Sequence, residues 1–201
     1  DVSECLINSA VYGNGIGEVV LEEILEMKPA TEAVMGGAME AVGVNVSKRT
    51  VVRLRPILPQ NFRIDPVATN VEEALGCAVD EFVGAHIVEQ LQESGVYREG
   101  YMGNPSEDFN LELTVHQDDK VRLTKYYGLV PRHLLEKELD YALDDDEKEG
   151  YYIEAVVIIG NESVLLKAEP SPYMMKDRPI VAFPWDVVPS RFWGRGVCEK
   201  G

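Results

Sequence analysis

The sequence predicts an α+β fold, in which antiparallel strands in hairpins are mixed with about three short helices. Apolar residues alternate with polar ones through Val121–Tyr127, the period of a half-buried strand. Gly160-Asn161 separates two apolar runs, a pattern typical of a two-residue hairpin turn. Residues 85–94 have apolar residues at helical spacing, and Gly95 follows them. Because strands and helices do not alternate regularly, a parallel βαβ sheet is not expected.

The N-terminal quarter is predicted to form a helix and two strands. In chain order we expect a helix over 2–12 ended by Gly13, a turn over 13–17, a strand over 18–27 and a strand over 50–55 closed by Pro56. Residues 28–47 are rich in Ala, Gly and Met and show no clean period. They predict a flexible excursion or a hairpin tip.

The remaining elements follow from the same rules. They are a turn over 71–74 capped by Thr69 or Asn70, strands over 77–83, 121–127, 152–159, 163–168 and 178–186, and helices over 85–94 and from Pro131 to about Leu143. The second of these helices is predicted to bury Leu134, Leu135, Leu139 and Ala142. Residues 100–110 and 144–150 are predicted to be a loop and an acidic turn. Trp185 ends an apolar strand and is therefore expected to be buried.

The charge balance disfavours a protein that grips nucleic acid. The chain has 201 residues, of which 19 are basic and 35 acidic, giving a net charge of −16. Non-specific DNA binding depends on basic side chains that displace condensed counterions, so this surface should repel DNA. Apolar residues make up 45% of the chain, enough for one domain or two small ones sharing a core, and no apolar run is long enough to span a bilayer.

The three cysteines give no sign of chemistry. Cys5, Cys77 and Cys198 are far apart and form no C-x-x-C pair. This pattern predicts plain thiols in a reducing cytoplasm rather than a disulfide framework or a zinc site.

Two patterns could carry a ligand, and neither meets its requirements. Gly13-x-Gly15-x-Gly17 is preceded by a helix and followed by Glu18, whereas a phosphate loop needs a preceding strand, a following helix and a lysine. His116 lies close to Asp118 and Asp119, which could bind a metal, but a metal site needs three or more converging ligands and no second histidine has suitable spacing. The remaining histidines, His86 and His133, are predicted to be surface or packing residues.

No acid–base or nucleophile motif stands out either. The carboxylate pairs are Glu22-Glu23, Glu72-Glu73, Glu107-Asp108 and Asp144-Asp145-Asp146. None is embedded in apolar sequence, as a dyad with separated pKa values would require. There is no G-x-S-x-G motif. We therefore predict no catalytic, cofactor-binding or metal-binding residue, no cofactor, and a protein that is not an enzyme.

The segment Arg191–Gly196 interleaves basic and aromatic residues, a pattern that can stack on single-stranded bases. It lacks a supporting basic groove. Packing at a domain hinge is the preferred interpretation.

Residues 170–196, with the sequence PSPYMMKDRPIVAFPWDVVPSRFWGRG, resemble the portal proteins of tailed phages, especially the large portal group of short-tailed phages. The resembling positions are Pro172-Tyr173, Arg178–Val181, Pro184-Trp185-Asp186, Pro189 and Trp193–Gly196. Three further segments resemble the family in the same order: residues 8–20 around Tyr12-Gly13-Asn14-Gly15, Pro59–Pro66 and Tyr126–Pro131.

The resemblance implies that residues 1–201 are a single wing-like domain of a larger portal protein, with 187–201 as a hinge toward a stem helix outside this sequence. It implies a structural subunit of the ring at one capsid vertex, the channel for DNA packaging and ejection and the joint between head and tail. It also implies assembly in the host cytoplasm, location in the virion and no membrane partner.

The partners that the resemblance implies are other copies of the subunit, usually in a dodecamer, together with capsid and scaffold proteins. Terminase and tail adaptor would bind parts absent here, and genomic DNA would pass through without specific binding. Another virion structural or scaffold-binding module, or a metal-dependent hydrolase using His116, Asp118 and Asp119, stays open as an alternative. Since each copy carries −16, we expect the isolated chain to self-associate at most weakly.

Overall fold

A computed structural model describes residues 2–33, 39–100, 120–138, 143, 150–173 and 177–200 of the protein. Within them the α-helices are α1 (Val2–Tyr12), α2 (Ala85–Glu93) and α3 (Arg132–Glu138). The strands are β1 (Asn14–Ala33), β2 (Met39–Ile57), β3 (Phe62–Ile64), β4 (Gly76–Gly84), β5 (Lys120–Pro131), β6 (Tyr152–Gly160), β7 (Val164–Pro170) and β8 (Ile180–Pro184). Short 3-10 turns lie at Pro59–Asn61 and Val197–Lys200. No helix in these ranges is long and apolar enough to cross a membrane.

The strands form two antiparallel sheets, which confirms the predicted α+β class. One sheet has the order β2-β1-β8, and the other has the order β3-β4-β5-β6-β7. A hydrophobic core joins them, because Ile16 and Ile57 of the first sheet pack with Val79 and Leu123 of the second. A smaller cluster lies under α3 and contains Leu135, Leu143, Ile153, Ala155 and Ala168.

The strands β1 and β2 form one long hairpin. Their register runs from Ile16 opposite Ile57 to Ala33 opposite Met39. Strand β8 pairs with β1 only from Asn14 to Glu18. Residues 19–33 and 39–54 therefore form a two-stranded extension, which we call the arm.

The structure corrects two predictions near the N-terminus. Residues 13–17 are not a turn, since only Gly13, with φ of +90°, separates α1 from β1. The glycines have a packing role instead: a Cβ on Gly15 would lie 2.4 Å from the Cys5 carbonyl oxygen, so α1 can rest directly on β1. In the segment 28–47, the hairpin alternative agrees with the paired strands, whereas residues 34–38, at the tip, lie outside the described residues.

Strands β4 to β8 and α2 agree with the predictions, with small shifts, whereas β3 corresponds to no predicted strand. The β6–β7 turn is centred on Asn161-Glu162, one residue later than predicted, and both residues have positive φ, at 45° and 62°. This conformation is that of a type I′ turn, closed by the Ser163 N–H donating to the Gly160 carbonyl at 3.1 Å. The predicted loop over 100–110 and the acidic turn over 144–150 fall almost entirely outside the described residues.

The helix predicted from Pro131 is also adjusted. Pro131 is the last residue of β5, paired with Tyr152, and α3 begins at the next residue. Leu135 is buried as predicted, but Leu134 is exposed, because a helix this short buries only one side. Leu139 and Ala142 lie outside the described residues.

The prediction that Trp185 is buried is wrong. Its side chain is 52% exposed. Val181, which lies four residues earlier on the same face of the chain, is exposed as well. Trp185 follows β8 and continues the face of that strand on which Val181 is exposed, whereas Ile180 on the opposite face is buried. The buried aromatic residue of this region is Phe192, 7% exposed, whose ring lies 5.7 Å from that of Phe62.

Replacing these two aromatic residues separately tests the assignment. We expect Phe192→Ala to lower the free energy of unfolding by about 3–5 kcal/mol, because it removes a buried ring from the shared core. Trp185→Ala should lower it by less than about 1 kcal/mol, since much of that side chain already contacts water. Chemical denaturation of both variants measures the difference. Equal losses, or a larger loss at Trp185, would contradict the packing described here.

Candidate functional site

The residues singled out from the sequence do not converge where the structure describes them. His86 and His133 are exposed at the starts of α2 and α3, while His116, Asp118 and Asp119 lie outside the described residues. No group of three or more potential metal ligands is found in the part of the chain that is described. The metal hydrolase alternative therefore gains no support from the described part of the chain.

The carboxylate pairs behave as solvated groups where they are described. Glu22 and Glu23 lie on the arm and form ion pairs with Arg53 and Lys48, respectively. Both carboxylates are about half exposed or more, at 48% and 66%. Neither lies in an apolar pocket, as an acid–base dyad would require. The pairs at 107–108 and 144–146 lie outside the described residues.

The cysteines are free thiols, as predicted, with Cys5 and Cys77 buried and Cys198 exposed. Burial raises the pKa of Cys5, and burial raises the pKa of Cys77 to about 12. A thiol with so high a pKa stays protonated at neutral pH. Neither buried cysteine is therefore suited to act as a nucleophile or a metal ligand.

The most concentrated polar chemistry is a carboxylate at the boundary between the sheets. Glu18 of β1 is buried, and its Oε1 accepts a hydrogen bond of 2.7 Å from the Tyr127 hydroxyl of β5. Its Oε2 accepts from the Arg55 guanidinium of β2. Arg55 also donates to Glu81 of β4 at 2.8 Å, and Lys125 contacts the same Glu81 carboxylate at 2.6 Å. We call these five residues the inter-sheet network.

The electrostatics of the network keep Glu18 ionised. Burial alone would raise its pKa, but the charge of Lys125 and the hydrogen bonds from Arg55 and Tyr127 outweigh burial and lower the pKa. Burial and the neighbouring Glu18 charge raise the pKa of Tyr127, so its hydroxyl keeps its proton and remains a donor. Both carboxylate oxygens are occupied. Glu18 is arranged as a fixed anion rather than as a proton acceptor in catalysis.

A second buried carboxylate lies next to this network. Asp80 accepts hydrogen bonds from Arg63 at 2.5 Å, from Arg122 at 2.8 Å and from Thr124 at 2.8 Å. Burial would raise its pKa, but the bonds from Arg122 and Thr124 and the charges of Arg122 and Arg63 lower it. Asp80 thus ties β3, β4 and β5 together on the face of the sheet opposite Glu81.

Two further contacts fix the segment after β7. The Arg178 guanidinium forms two bonds to Glu154, at 2.6 and 3.2 Å, and donates to the Val71 carbonyl at 2.6 Å. Both charged side chains are nearly buried, with 7% and 12% exposed. The pair holds the residue before β8 against β6 and the turn after β3. Arg178 lies in the segment that resembles portal proteins, but the resemblance alone does not predict its contact with Glu154.

The basic and aromatic segment Arg191–Gly196 is packed only in part, because Phe192 and Gly196 are buried whereas Arg191, Trp193 and Arg195 are exposed. The Asn14 side chain donates to the Phe192 carbonyl at 2.9 Å and accepts from the Gly194 N–H at 2.5 Å. A Cβ on Gly194 would lie 2.7 Å from the Gly13 carbonyl oxygen, so the two backbones are in direct contact. We call this contact between residues 13–14 and 192–194 the terminal junction. Arg191 is exposed beside it.

A shallow groove lies next to the terminal junction. Its lining includes Thr69, Glu72, Asp177, Ile180 and Arg191, together with Arg178, whose guanidinium is already paired with Glu154. The ionisable side chains of the groove carry both signs of charge, and their hydrogen-bond donors do not point toward one common position. The groove therefore has no group arranged to act on a bound ligand.

No protein-family model and no curated protein matches the sequence.

Glu18→Gln tests whether the network supports the fold through charge. Near neutral pH we expect the variant to lose about 2–3 kcal/mol of unfolding free energy, because the buried carboxamide cannot pair with Arg55 as an anion does. The folded-state pKa of Glu18 is lower than its ordinary value of 4.5, so its contribution is present above that pH and is lost as the pH falls through the folded value. The difference between variant and parent should therefore shrink on acidification, measured by urea denaturation.

Glu22→Gln is the matched control, since Glu22 is an exposed carboxylate on the same strand. It should change the unfolding free energy by less than about 1 kcal/mol at any pH. A Glu18→Gln difference that stays constant down to the acid transition would exclude a charge-based role.

Proposed function

We propose that this chain is the wing part of a portal subunit, a structural component of the ring through which DNA enters and leaves a phage capsid. The supporting observation is that the segments resembling portal proteins are packed against one another. Segments that resemble a family only by chance need not lie close together in the folded protein. Segments of a shared fold are expected to lie together, because residues in contact restrict which residue types can occupy each other's positions.

The contacts begin at the terminal junction. Asn14, in the segment resembling the helix-to-strand element, holds Phe192 and Gly194 in the segment resembling the last portal element. Phe62, in the resembling segment 59–66, packs on Phe192 and lies 6.4 Å from the ring of Trp193. Three resembling segments far apart in sequence thus share one contact.

The remaining segments join through the inter-sheet network. Tyr127, in the resembling segment Tyr126–Pro131, donates to Glu18 at the end of the segment 8–20. Burial and the charge of Glu18 raise the pKa of Tyr173, so the Pro172-Tyr173 element lies near the same carboxylate. Strand β8, in the segment that begins at Arg178, pairs with β1. The resembling segments 8–20, 59–66, 126–131 and 170–196 are therefore linked to one another by these contacts.

The chemistry of these contacts suits a mechanical role. The buried carboxylates Glu18 and Asp80 are fully paired, and they hold strands in place without presenting a reactive group. A ring subunit that withstands DNA translocation needs such rigid joints and needs no cofactor. The net charge of −16 lets a polyanion pass without being trapped. As proposals, other copies, capsid and scaffold proteins are its partners and the virion is its location.

Imaging the natural full-length protein tests the portal proposal directly. We expect negative-stain electron microscopy and native mass measurement to show a closed ring with a central channel, in the family usually of twelve subunits. A full-length protein found in virions without any ring would favour the other virion structural or scaffold-binding module. Marked thermal stabilisation by zinc or manganese would favour the hydrolase, because a ligand that binds only the native state raises its stability.

The negative net charge of the chain predicts how it behaves toward DNA. Duplex DNA should not bind this chain at physiological salt, since acidic residues outnumber basic ones by 35 to 19. An electrophoretic mobility shift with micromolar protein measures this, with a basic DNA-binding protein as the positive control. A retarded band for this chain would contradict the proposed passive passage of DNA.

A further inference from the structure

The outer edge of β8 carries unpaired backbone groups. In an antiparallel pair, residues whose N–H and carbonyl groups point toward the partner strand alternate with residues whose groups point away. The Pro179 carbonyl accepts from the Val19 N–H of β1 at 2.7 Å, so Pro179 points toward β1. Ile180 and Ala182 therefore direct their backbone groups away from β1. Among the described residues, these groups have no hydrogen-bond partner.

The groove beside the terminal junction runs along this edge. Its lining includes Ile180, Ala182 and Pro184 of β8, and Val71 and Phe192 contribute further apolar surface. The three β8 residues share one face of the strand, because alternate side chains point to the same side. A strand added next to β8 would therefore place every second side chain against the apolar surface of the groove.

The edge strand β7 of the second sheet shows how this chain covers an edge elsewhere. The Arg98 N–H donates to the Leu166 carbonyl of β7 at 2.8 Å, so a neighbouring segment supplies part of the missing partner. Within the described ranges, no segment does the same for Ile180 or Ala182 of β8. An unpaired edge is a template for another extended chain, whose backbone offers donors and acceptors at the matching spacing.

Charge indicates what kind of peptide the groove would accept. The ionisable side chains in its lining are Glu72, Asp177, Arg178 and Arg191, and Arg178 is paired with Glu154. The other three are exposed, and their two negative charges and one positive charge sum to −1. The whole chain carries −16. A peptide with lysine or arginine beside its apolar residues is therefore favoured over an acidic peptide.

We propose that the groove binds an extended basic peptide segment of a partner protein, which adds to the outer edge of β8 as an antiparallel fourth strand of the first sheet. Residues directly opposite in an antiparallel pair share a face, so apolar residues of the peptide lie opposite Ile180 and Ala182 and pack toward Phe192. The inference goes beyond the portal proposal and does not rest on it. A ring forms without a peptide in this groove, and a different structural protein with this fold would have the same edge.

The test uses a capped probe peptide, acetyl-KVTVTVK-amide, titrated into the isotope-labelled chain at physiological ionic strength and followed by NMR. We expect half-saturation at roughly 0.1–1 mM peptide. The amide hydrogens of Ile180 and Ala182 should then exchange with solvent about tenfold more slowly or less, because they donate to the peptide backbone. The acidic probe acetyl-EVTVTVE-amide should bind roughly tenfold more weakly. A basic probe with N-methylated valines should not bind, since its valine nitrogens face β8 and cannot donate.

Variants of the chain test the two parts of the site separately. Ala182→Pro removes an outward N–H and leaves the pairing with β1 intact, because an edge strand tolerates proline where its nitrogen faces solvent. It should weaken binding of the basic probe roughly fivefold. Glu72→Gln with Asp177→Asn should weaken binding roughly threefold. The matched control, Glu22→Gln with Glu23→Gln, removes two carboxylate charges on the arm and should change binding by less than about twofold.

Several results would overturn the proposal. They are no binding of the basic probe at millimolar concentration, equal binding of the N-methylated probe, and slowed exchange spread over acidic surfaces away from β8, which indicates attraction by charge alone. Protection of Ile180 and Ala182 that rises with protein concentration without peptide would assign the edge to a second copy instead. The probes act on the parent chain, so the test does not depend on how well Ala182→Pro folds. A full-length protein without a ring would contradict the portal proposal and leave the peptide result as it stands.

Discussion

The described fold depends on one buried carboxylate. Glu18 lies where the first sheet meets the second, with Tyr127 on one oxygen and Arg55 on the other. Removing a carboxylate from water costs several kcal/mol unless its partners replace the lost hydration. The sheets can therefore pack only in an orientation that brings β2 and β5 to Glu18 together. The hydrophobic contact between Ile16 and the second sheet supplies the attraction, and Glu18 restricts it to one geometry.

The same constraint extends into the second sheet through β4. Successive residues of a strand point to opposite faces, so Glu81 reaches Arg55 in the first sheet while Asp80 reaches Arg63 and Arg122 on the far side. Two adjacent acidic residues thus serve two different interfaces. Since each charge is paired, the strand can be buried on both faces without an uncompensated carboxylate.

Sequence patterns identified most elements but not the polar contacts between them. Alternation in Val121–Tyr127 predicted β5 because Val121, Leu123 and Tyr127 are buried on one side of the strand, while Arg122, Thr124 and Tyr126 on the other side are only partly buried. Glu18 was missed because its burial is a property of which sheets face each other, and only its position beside the apolar residues Ile16 and Val20 hints at it. The Trp185 prediction was wrong for a related reason. An apolar run indicates a strand, but which of its faces is covered depends on the elements that pack against it, and sequence alone does not show these.

The inter-sheet network lies at the base of the arm. Glu18 and Arg55 are opposite each other in the β1–β2 register, immediately before the arm begins. Beyond Glu18, β8 no longer pairs with β1, so the arm consists of two strands only. Its direction relative to the second sheet is therefore set where Arg55 bridges Glu18 and Glu81. An ion-pair network that orients the two sheets therefore also orients the arm.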